Sequence, residues 1–304
     1  MDWERSRAAV PRFEFLERAG STNDELRIAA TGPDAEGWPH GAVIVTDEQT
    51  AGRGRLGRSW LAPSGKTLAI SLLLRPGLLR PGLLNPDDPG AAGLPLDAYG
   101  WIPLIAGAAM TEAVRRELDA ARTAAAASED GADDAADGPG LLDVELKWPN
   151  DVLVSGYKVC GILSELLPPA LGEDAPAGVV VGAGLNLTLD EHDLPTLTST
   201  SLLLAGGRRP DADGVLADYL SGFLALFDAY RAAGGDAVAS GVAARVAELC
   251  GTIGEEVRVE LPGGRMLLGT AEGLDGDGRL LVLGRESDES QAVAAGDVTH
   301  LRYE

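Results

Sequence analysis

Apolar residues along the chain fall into two spacings, and these divide the sequence into elements. Short apolar runs occur at Phe13–Leu16 (FEFL), Gly41–Thr46 (GAVIVT), Thr67–Leu74 (TLAISLLL) and Gly178–Leu187 (GVVVGAGLNL). Their length and their Gly, Pro, Asn and Asp flanks predict strands, the last two buried. Val144–Leu146 and the stretch Val152–Leu167 (VLVSGYKVCGILSELL) predict three more, the last two joined as a hairpin by a turn at Ser155-Gly156. Helical spacing governs Trp101–Leu118, Asp211–Ala233 and Asp236–Cys250. Ser21–Ala30 (STNDELRIAA) predicts a further helix, with Thr22 and Glu25 at capping-box separation.

Two segments carry neither spacing. Residues 75–100 are rich in Pro, Gly and Asp and read as a long connection. Residues 119–140 are Ala, Asp and Gly of low complexity, too polar to bury, and read as a disordered surface insertion. From Thr252 the character changes to short alternating strands between Gly-rich turns, such as EEVRVEL, RMLLGTAEGL and RLLVLG. That pattern describes a small β-barrel or sandwich of about 50 residues. Two domains follow, 1–250 and 251–304, with the boundary near Gly251.

Composition narrows the function. A chain of 304 residues with 45% apolar residues can bury a large core. Its formal net charge of −22 opposes nucleic acid unless a strong local patch exists. Cys160 and Cys250 stand far apart, so neither a disulfide framework nor a zinc ligand set is expected. The histidines, His40, His192 and His300, are too scattered for a triad or metal cluster. The first residues lack the apolar core of a signal peptide, and no apolar stretch of about 20 residues occurs, so a cytoplasmic protein without a membrane partner is expected.

One stretch stands against the acidic background: Thr46–Trp60, TDEQTAGRGRLGRSW. Gly52, Gly54 and Gly57 alternate with Arg53, Arg55 and Arg58, combining close backbone approach with permanent cations suited to phosphate. The glycines match GxGxxG, but Pro63 and a strand follow where a dinucleotide site needs a helix. Gly65-Lys66-Thr67 ends like a P-loop, yet Trp60 occupies the place of its first glycine. The loop is therefore built for an anion that neither motif names. Lys147-Trp148-Pro149-Asn150-Asp151 is either a simple strand connection or a polar cluster. Lys158, in an otherwise apolar strand, either faces solvent or points inward toward an anion.

Taken in order, STN at 21–23, DEQTAGRGRLGRSW, KWPNDVLVSGYKVCGIL and GAGLNL closely resemble the biotin–protein ligase family over roughly residues 12–205. The resemblance implies an α+β fold: a class II synthetase-like catalytic domain with a central mixed β-sheet flanked by helices, plus a small C-terminal SH3-like β-barrel. It implies that Ser21, Thr22, Asn23 and Gln49 hold the polar end of biotin. Arg53, Gly54 and Arg55 would close over biotin and the adenylate, and Lys158 would meet the biotin carboxylate. Arg58, Trp60, Asn150 and Asn186 would surround ATP and the adenine side, and Asp151 would assist the acceptor lysine. Family members that repress transcription carry a DNA-binding winged helix before STN. With STN at residue 21, that domain is not expected.

The implied chemistry has two halves. Biotin and ATP, with Mg²⁺, give biotinyl-5′-AMP and pyrophosphate, and Arg53, Arg55, Arg58 and Lys158 supply the cations this needs. A lysine of the biotin carboxyl carrier domain of acetyl-CoA carboxylase or a related carboxylase then displaces AMP, with Asp151 taking its proton. The expected assembly is a monomer or homodimer. A ligase for lipoate or another short acid, an Arg/Gly nucleic-acid module, and a non-catalytic carboxylase subunit are the competing readings.

Overall fold

The computed structural model describes residues 2–76, 93–128, 142–169, 176–261, 263–285, 287–294 and 296–301. A seven-stranded mixed sheet forms its centre. In chain order it comprises β1 (Phe13–Leu16), β2 (Val43–Thr46), β5 (Thr67–Leu74), β6 (Val144–Lys147), β7 (Asp151–Val154), β8 (Tyr157–Pro169) and β9 (Pro176–Asn186). Across the sheet the order is β1-β2-β5-β9-β8-β7-β6, with β1 parallel to β2 and every other pair antiparallel. Ser155 and Gly156 both have positive φ, 50° and 83°, and make the tight turn between β7 and β8.

Side-chain alternation gives the sheet two unlike faces. Leu68, Ile70, Leu72 and Leu74 of β5 join Val179, Val181, Ala183 and Leu185 of β9 beneath α3 (Ile102–Ser128) and α5 (Ala212–Ala232). Ile105, Phe223 and Phe227 are fully buried there, and each such side chain contributes about 1.5–3 kcal/mol of transfer free energy. Over the opposite face, α2 (Thr22–Thr31) covers only part, packing Leu26 and Ala30 against Ile44, Leu73 and Val180. The rest of that face is left open, and the candidate site occupies it.

Two sequence expectations change. α3 runs to Ser128, so residues 119–128 are helical; alanine is the strongest helix former and extends the helix beyond its packed part. The remaining residues of the expected insertion, 129–140, and much of the Pro-rich connection, 77–92, lie outside the described residues. The capping box also fails to form. Ser21, not Thr22, is the N-cap and makes no side-chain cap bond, and the Thr22 hydroxyl donates to Gln49 Oε1 instead.

The C-terminal strands β10 (Glu256–Glu260), β11 (Met266–Leu274), β12 (Leu280–Gly284), β13 (Ser290–Val293) and β14 (Asp297–His300) form one antiparallel sheet, ordered β13-β12-β11-β10-β14. It is docked against the central sheet by indole donors. Trp101 Nε1 donates to Gly276 O at 2.7 Å and Trp148 Nε1 to Gly278 O at 3.1 Å. A Cβ at Gly100 would overlap the carbonyl of Asp277, so close approach of backbones also holds the contact.

Candidate active site

The floor of the site is made by what β9 lacks. Gly182 and Gly184 alternate with Val181, Ala183 and Leu185, so the helix face is apolar and the opposite face bears no side chain at these two positions. A Cβ at Gly182 would lie 2.5 Å from Asn23 Oδ1, and one at Gly184 would overlap the Trp60 indole. Bare backbone leaves a cavity of about 640 Å³, walled by the start of α2, the Gly/Arg loop, the KWPND turn, residues 195–199 and strand β14.

At one end the polar groups form a continuous network. Gln49 Oε1 accepts from Thr22 N at 2.9 Å and from its hydroxyl at 3.2 Å, thereby capping α2 from outside. Ser71 Oγ lies 2.8 Å from Thr22 Oγ1 and 2.6 Å from Asn23 Oδ1. Asn23 Nδ2 donates to Glu165 Oε2 at 2.6 Å. Ser21, Thr22 and Asn23 are all buried, so their donors and acceptors are presented at low dielectric.

The Gly/Arg loop is a hairpin: β3 (Gln49–Arg53), a 3-10 turn at Arg55–Gly57 and β4 (Ser59–Ala62). Its three arginines go to different places. Arg53 pairs with Asp24 and, at 3.0 Å, with Glu165. The hydrogen bond from Arg53 holds the Asp24 carboxyl below the usual aspartate range. Arg55 reaches inward, with Nη1 2.9 Å from Asn150 Oδ1 and Nη2 3.5 Å from Gly296 O. Arg58 pairs with Asp297 of β14. Leu56, at the tip, has a left-handed φ of 56° and is 75% exposed.

At the other end, Lys158 Nζ lies 2.7 Å from Asp151 Oδ1 and 5.8 Å from the centre of the Trp60 ring. This settles the direction of Lys158, which faces the cavity. Trp60 Nε1 is buried there without a hydrogen-bond partner. Lys147 also lines the cavity, and burial lowers its ammonium pKa from the ordinary lysine value. Asn150 Nδ2 donates to Ile162 O at 2.8 Å, fixing the amide whose oxygen receives Arg55.

Of the residues that the resemblance singled out, Ser21, Thr22, Asn23, Gln49, Arg53, Gly54, Arg55, Arg58, Trp60, Asn150, Asp151 and Lys158 all line this cavity. Asn186 does not. It is 2% exposed and donates to Thr200 O at 2.9 Å, bracing the segment that follows residues 195–199. Sequence reasoning missed Gly182, Gly184, Lys147, Glu165 and Asp297. The first two were marked by a Gly-x-Gly spacing in a valine-rich strand, Lys147 by the rarity of lysine, and Glu165 by its charge among apolar neighbours. Asp297 meets Arg58 across 239 positions and had no local signal.

As chemistry, the cavity offers a flat bare floor, a hydrogen-bonding end, and a cationic end whose charges are partly balanced by carboxylates. Such a site suits a ligand with a polar head, an apolar body and an anionic tail.

Comparison with known proteins agrees in order and extent. Residues 16–82 match the biotin/lipoate A/B protein ligase family, and residues 252–301 match the biotin protein ligase C-terminal domain. The chain is 34% identical over 292 residues to a biotin–[acetyl-CoA-carboxylase] ligase of Mycobacterium tuberculosis, covering 96% of this chain and 90% of that protein. It is 30% identical over 181 residues to a bifunctional ligase/repressor BirA of Bacillus spizizenii, spanning 59% of this chain but 43% of that protein. In fold it is similar to a biotin protein ligase of Aquifex aeolicus in complex with biotin and ATP, with a TM-score of 0.67, 23% identity, and coverage of 95% of this chain and 99% of that one. The chain belongs to the biotin protein ligase family.

Proposed function

We propose that the protein activates biotin with ATP to biotinyl-5′-AMP and transfers the biotinyl group to a lysine of a carboxylase carrier domain. The observation that supports this best is the glycine floor between the Thr22–Gln49 network and the Lys158–Arg55 end. A fused bicyclic ring lies flat on such a floor, its ureido group at the polar network and its carboxylate at Lys158.

In the first half, a carboxylate oxygen of biotin attacks the α-phosphorus of ATP, the new O–P bond replacing the bond to pyrophosphate. Charge accumulating on the phosphoryl oxygens is stabilised by Lys158 and Arg55, which are held in advance by Asp151 and Asn150. Arg58 exchanges Asp297 for phosphate, and the Trp60 indole N–H acquires an acceptor. Arg53, paired with Asp24 and Glu165, would anchor the loop as Gly54 and Arg55 close over the ligand.

Mg²⁺ is proposed to enter with ATP. Among the described residues, no three His, Cys, Asp or Glu side chains are grouped to hold a metal. The ion would be carried mainly by phosphate oxygens, neutralising their charge.

In the second half, the acceptor amine attacks the acyl carbon, the C–O bond to AMP breaks, and Asp151 takes the amine proton. The hairpin lid keeps water from the anhydride meanwhile. Residues 252–301 form the second domain, and Asp297 gives it a direct hold on the lid. The proposed compartment is the cytoplasm; no helix of the described residues is long and apolar enough to cross a membrane.

The decisive experiment supplies labelled biotin, ATP, Mg²⁺ and a carrier domain, and looks for covalent label on the carrier. Biotin-dependent pyrophosphate release followed by transfer is expected. Release with lipoate but not biotin would replace this reading with the neighbouring lipoate chemistry.

A further inference from the structure

Beyond the Arg55–Asn150 contact lies a second cavity, of about 420 Å³. Its walls come from Ile162–Ser164 of β8, Pro103 and Leu104 of α3, the Trp148-Pro149 turn, and residues 277–279 of the C-terminal sheet. The cavity exists because β7 stops pairing with β8 at Gly161, leaving the sheet's next residues beside the docked C-terminal turn rather than beside a strand. Arg55, Asn150, Ile162 and Leu163 line both cavities. The hydrogen bond of 2.9 Å between Arg55 and Asn150 therefore stands in the partition.

The two cavities differ in chemistry. Arg53, Arg55, Arg58, Lys147, Lys158 and Arg258 outnumber Asp151, Glu260 and Asp297 around the first, whereas the second has Trp148, Pro149, Leu104, Ile162 and Leu163 on its walls, with Arg55 at the partition and the exposed carboxylate of Asp97 beside them. Asp277 and Arg279 also line it, paired with each other at 2.8 Å. A cation-ringed chamber repels an approaching ammonium. An exposed carboxylate collects that ammonium, and the apolar walls beyond it accommodate the methylene stem and, by desolvation, favour loss of the proton.

We propose that the second cavity is the entry for the acceptor lysine, and that opening the Arg55–Asn150 contact admits its amine to the acyl carbon. This rests on the ligase reading above. It explains how one lid can seal the adenylate from water while transfer still proceeds: the nucleotide side stays closed and the amine arrives through the opposite wall. Arg55 then serves both halves, covering the adenylate and yielding to the amine. In the transfer step the amine nitrogen bonds to the acyl carbon, AMP leaves with the mixed-anhydride oxygen, and the proton passes to Asp151.

The test separates the halves on the full chain. Ser164→Phe places a ring in the second cavity, where the serine hydroxyl now has no partner. Asp97→Lys reverses the exposed carboxylate without touching the core. Three rates are measured: biotin-dependent pyrophosphate exchange, transfer of biotinyl-5′-AMP to a carrier domain, and its transfer to hydroxylamine, which is too small to need the passage. Ser164→Phe is expected to slow carrier transfer by on the order of tenfold to a hundredfold, and Asp97→Lys to raise the KM for carrier by about threefold. Exchange and hydroxylamine capture should stay within about twofold of the parent, since neither depends on the passage.

Undiminished carrier transfer by Ser164→Phe overturns the proposal, as does an equal fall in carrier and hydroxylamine transfer with exchange intact. Should Ser164→Phe fail to fold, Asp97→Lys decides: an unchanged carrier KM rejects the entry, and a raised one supports it. Absence of exchange in the parent would instead remove the ligase reading on which the proposal rests.

Discussion

The two faces of the central sheet are made from the same strands and follow opposite rules. On the α3 face, alternate residues of β5 and β9 are Leu, Ile, Val and one Ala, filling the space under two helices. On the other face, the same strands present Ser71, Gly182 and Gly184, and leave room for a ligand. One alternation thus separates stability from binding at the spacing of a single residue. Substitutions on the helix face should cost folding free energy and spare ligand affinity. Those on the open face should do the reverse.

The largest effect is expected on the helix face. Ile105 is fully buried in the main core, and Ile105→Ala should destabilise by about 2–5 kcal/mol through lost transfer energy and a residual cavity. Urea unfolding would measure the loss, and the KM for biotin of the folded fraction should not move. A matched rise in KM would show that the faces are mechanically coupled.

Next come two changes on the open face. Gly184→Val sets a branched side chain where Trp60 rests, and should slow adenylate formation on the order of 10²-fold with little change in melting temperature. Arg55→Ala removes the inward cation and its hold on Asn150, and should cost roughly 10²–10³ in adenylation rate. It should also shorten the lifetime of bound biotinyl-5′-AMP. Retention and transfer equal to the parent would remove Arg55 from the lid.

A smaller effect separates Arg53 from the other two arginines. Glu165 joins the wall residue Asn23 to the lid residue Arg53. Glu165→Gln keeps the shape and removes the charge. It should speed adenylate release by about tenfold while leaving the KM for ATP near that of the parent. A raised KM for ATP would instead place Arg53 on phosphate.

The contrast between faces also explains what the sequence could disclose. Apolar runs make β2, β5 and β9 legible because a strand under two helices must be apolar wherever it faces them. The motif residues are legible because each combines an uncommon residue type with a turn, as in KWPND, or with glycines, as in the Gly/Arg loop. Asn186 sits at the end of such a run, yet its side chain turns to Thr200; strand spacing does not say which polar group at a strand end meets the ligand. Glu165 and Asp297 act through partners far away in sequence, and the second cavity exists only where two sheets meet. The helical start of the Ala-rich stretch was hidden by its composition, since alanine fits both a polar insertion and an overrunning helix.

The smallest effect concerns the one histidine packed on the helix side. His40 stacks on Phe227 at 5.6 Å and accepts a hydrogen bond from Arg75 N at its Nδ1. Burial is the main cause that holds its pKa below the ordinary 6.5, opposed by Asp228. The unfolded chain then binds the proton first as pH falls. Stability from this group is complete above about pH 6.5, declines as pH drops through that value, and levels off once the folded form is protonated too. Carboxylates held low in the folded state, such as Asp24 from its ordinary 3.8, are expected to add their own loss only in stronger acid, so the two windows are separate. His40→Asn preserves an acceptor for Arg75 N and removes the titration. Melting temperatures taken from pH 8 to pH 5 should therefore fall less steeply in this variant than in the parent, with the biotin KM equal in both at pH 8. An identical slope would show that His40 is protonated without cost, and that the helix face tolerates a buried charge the comparison says it should not.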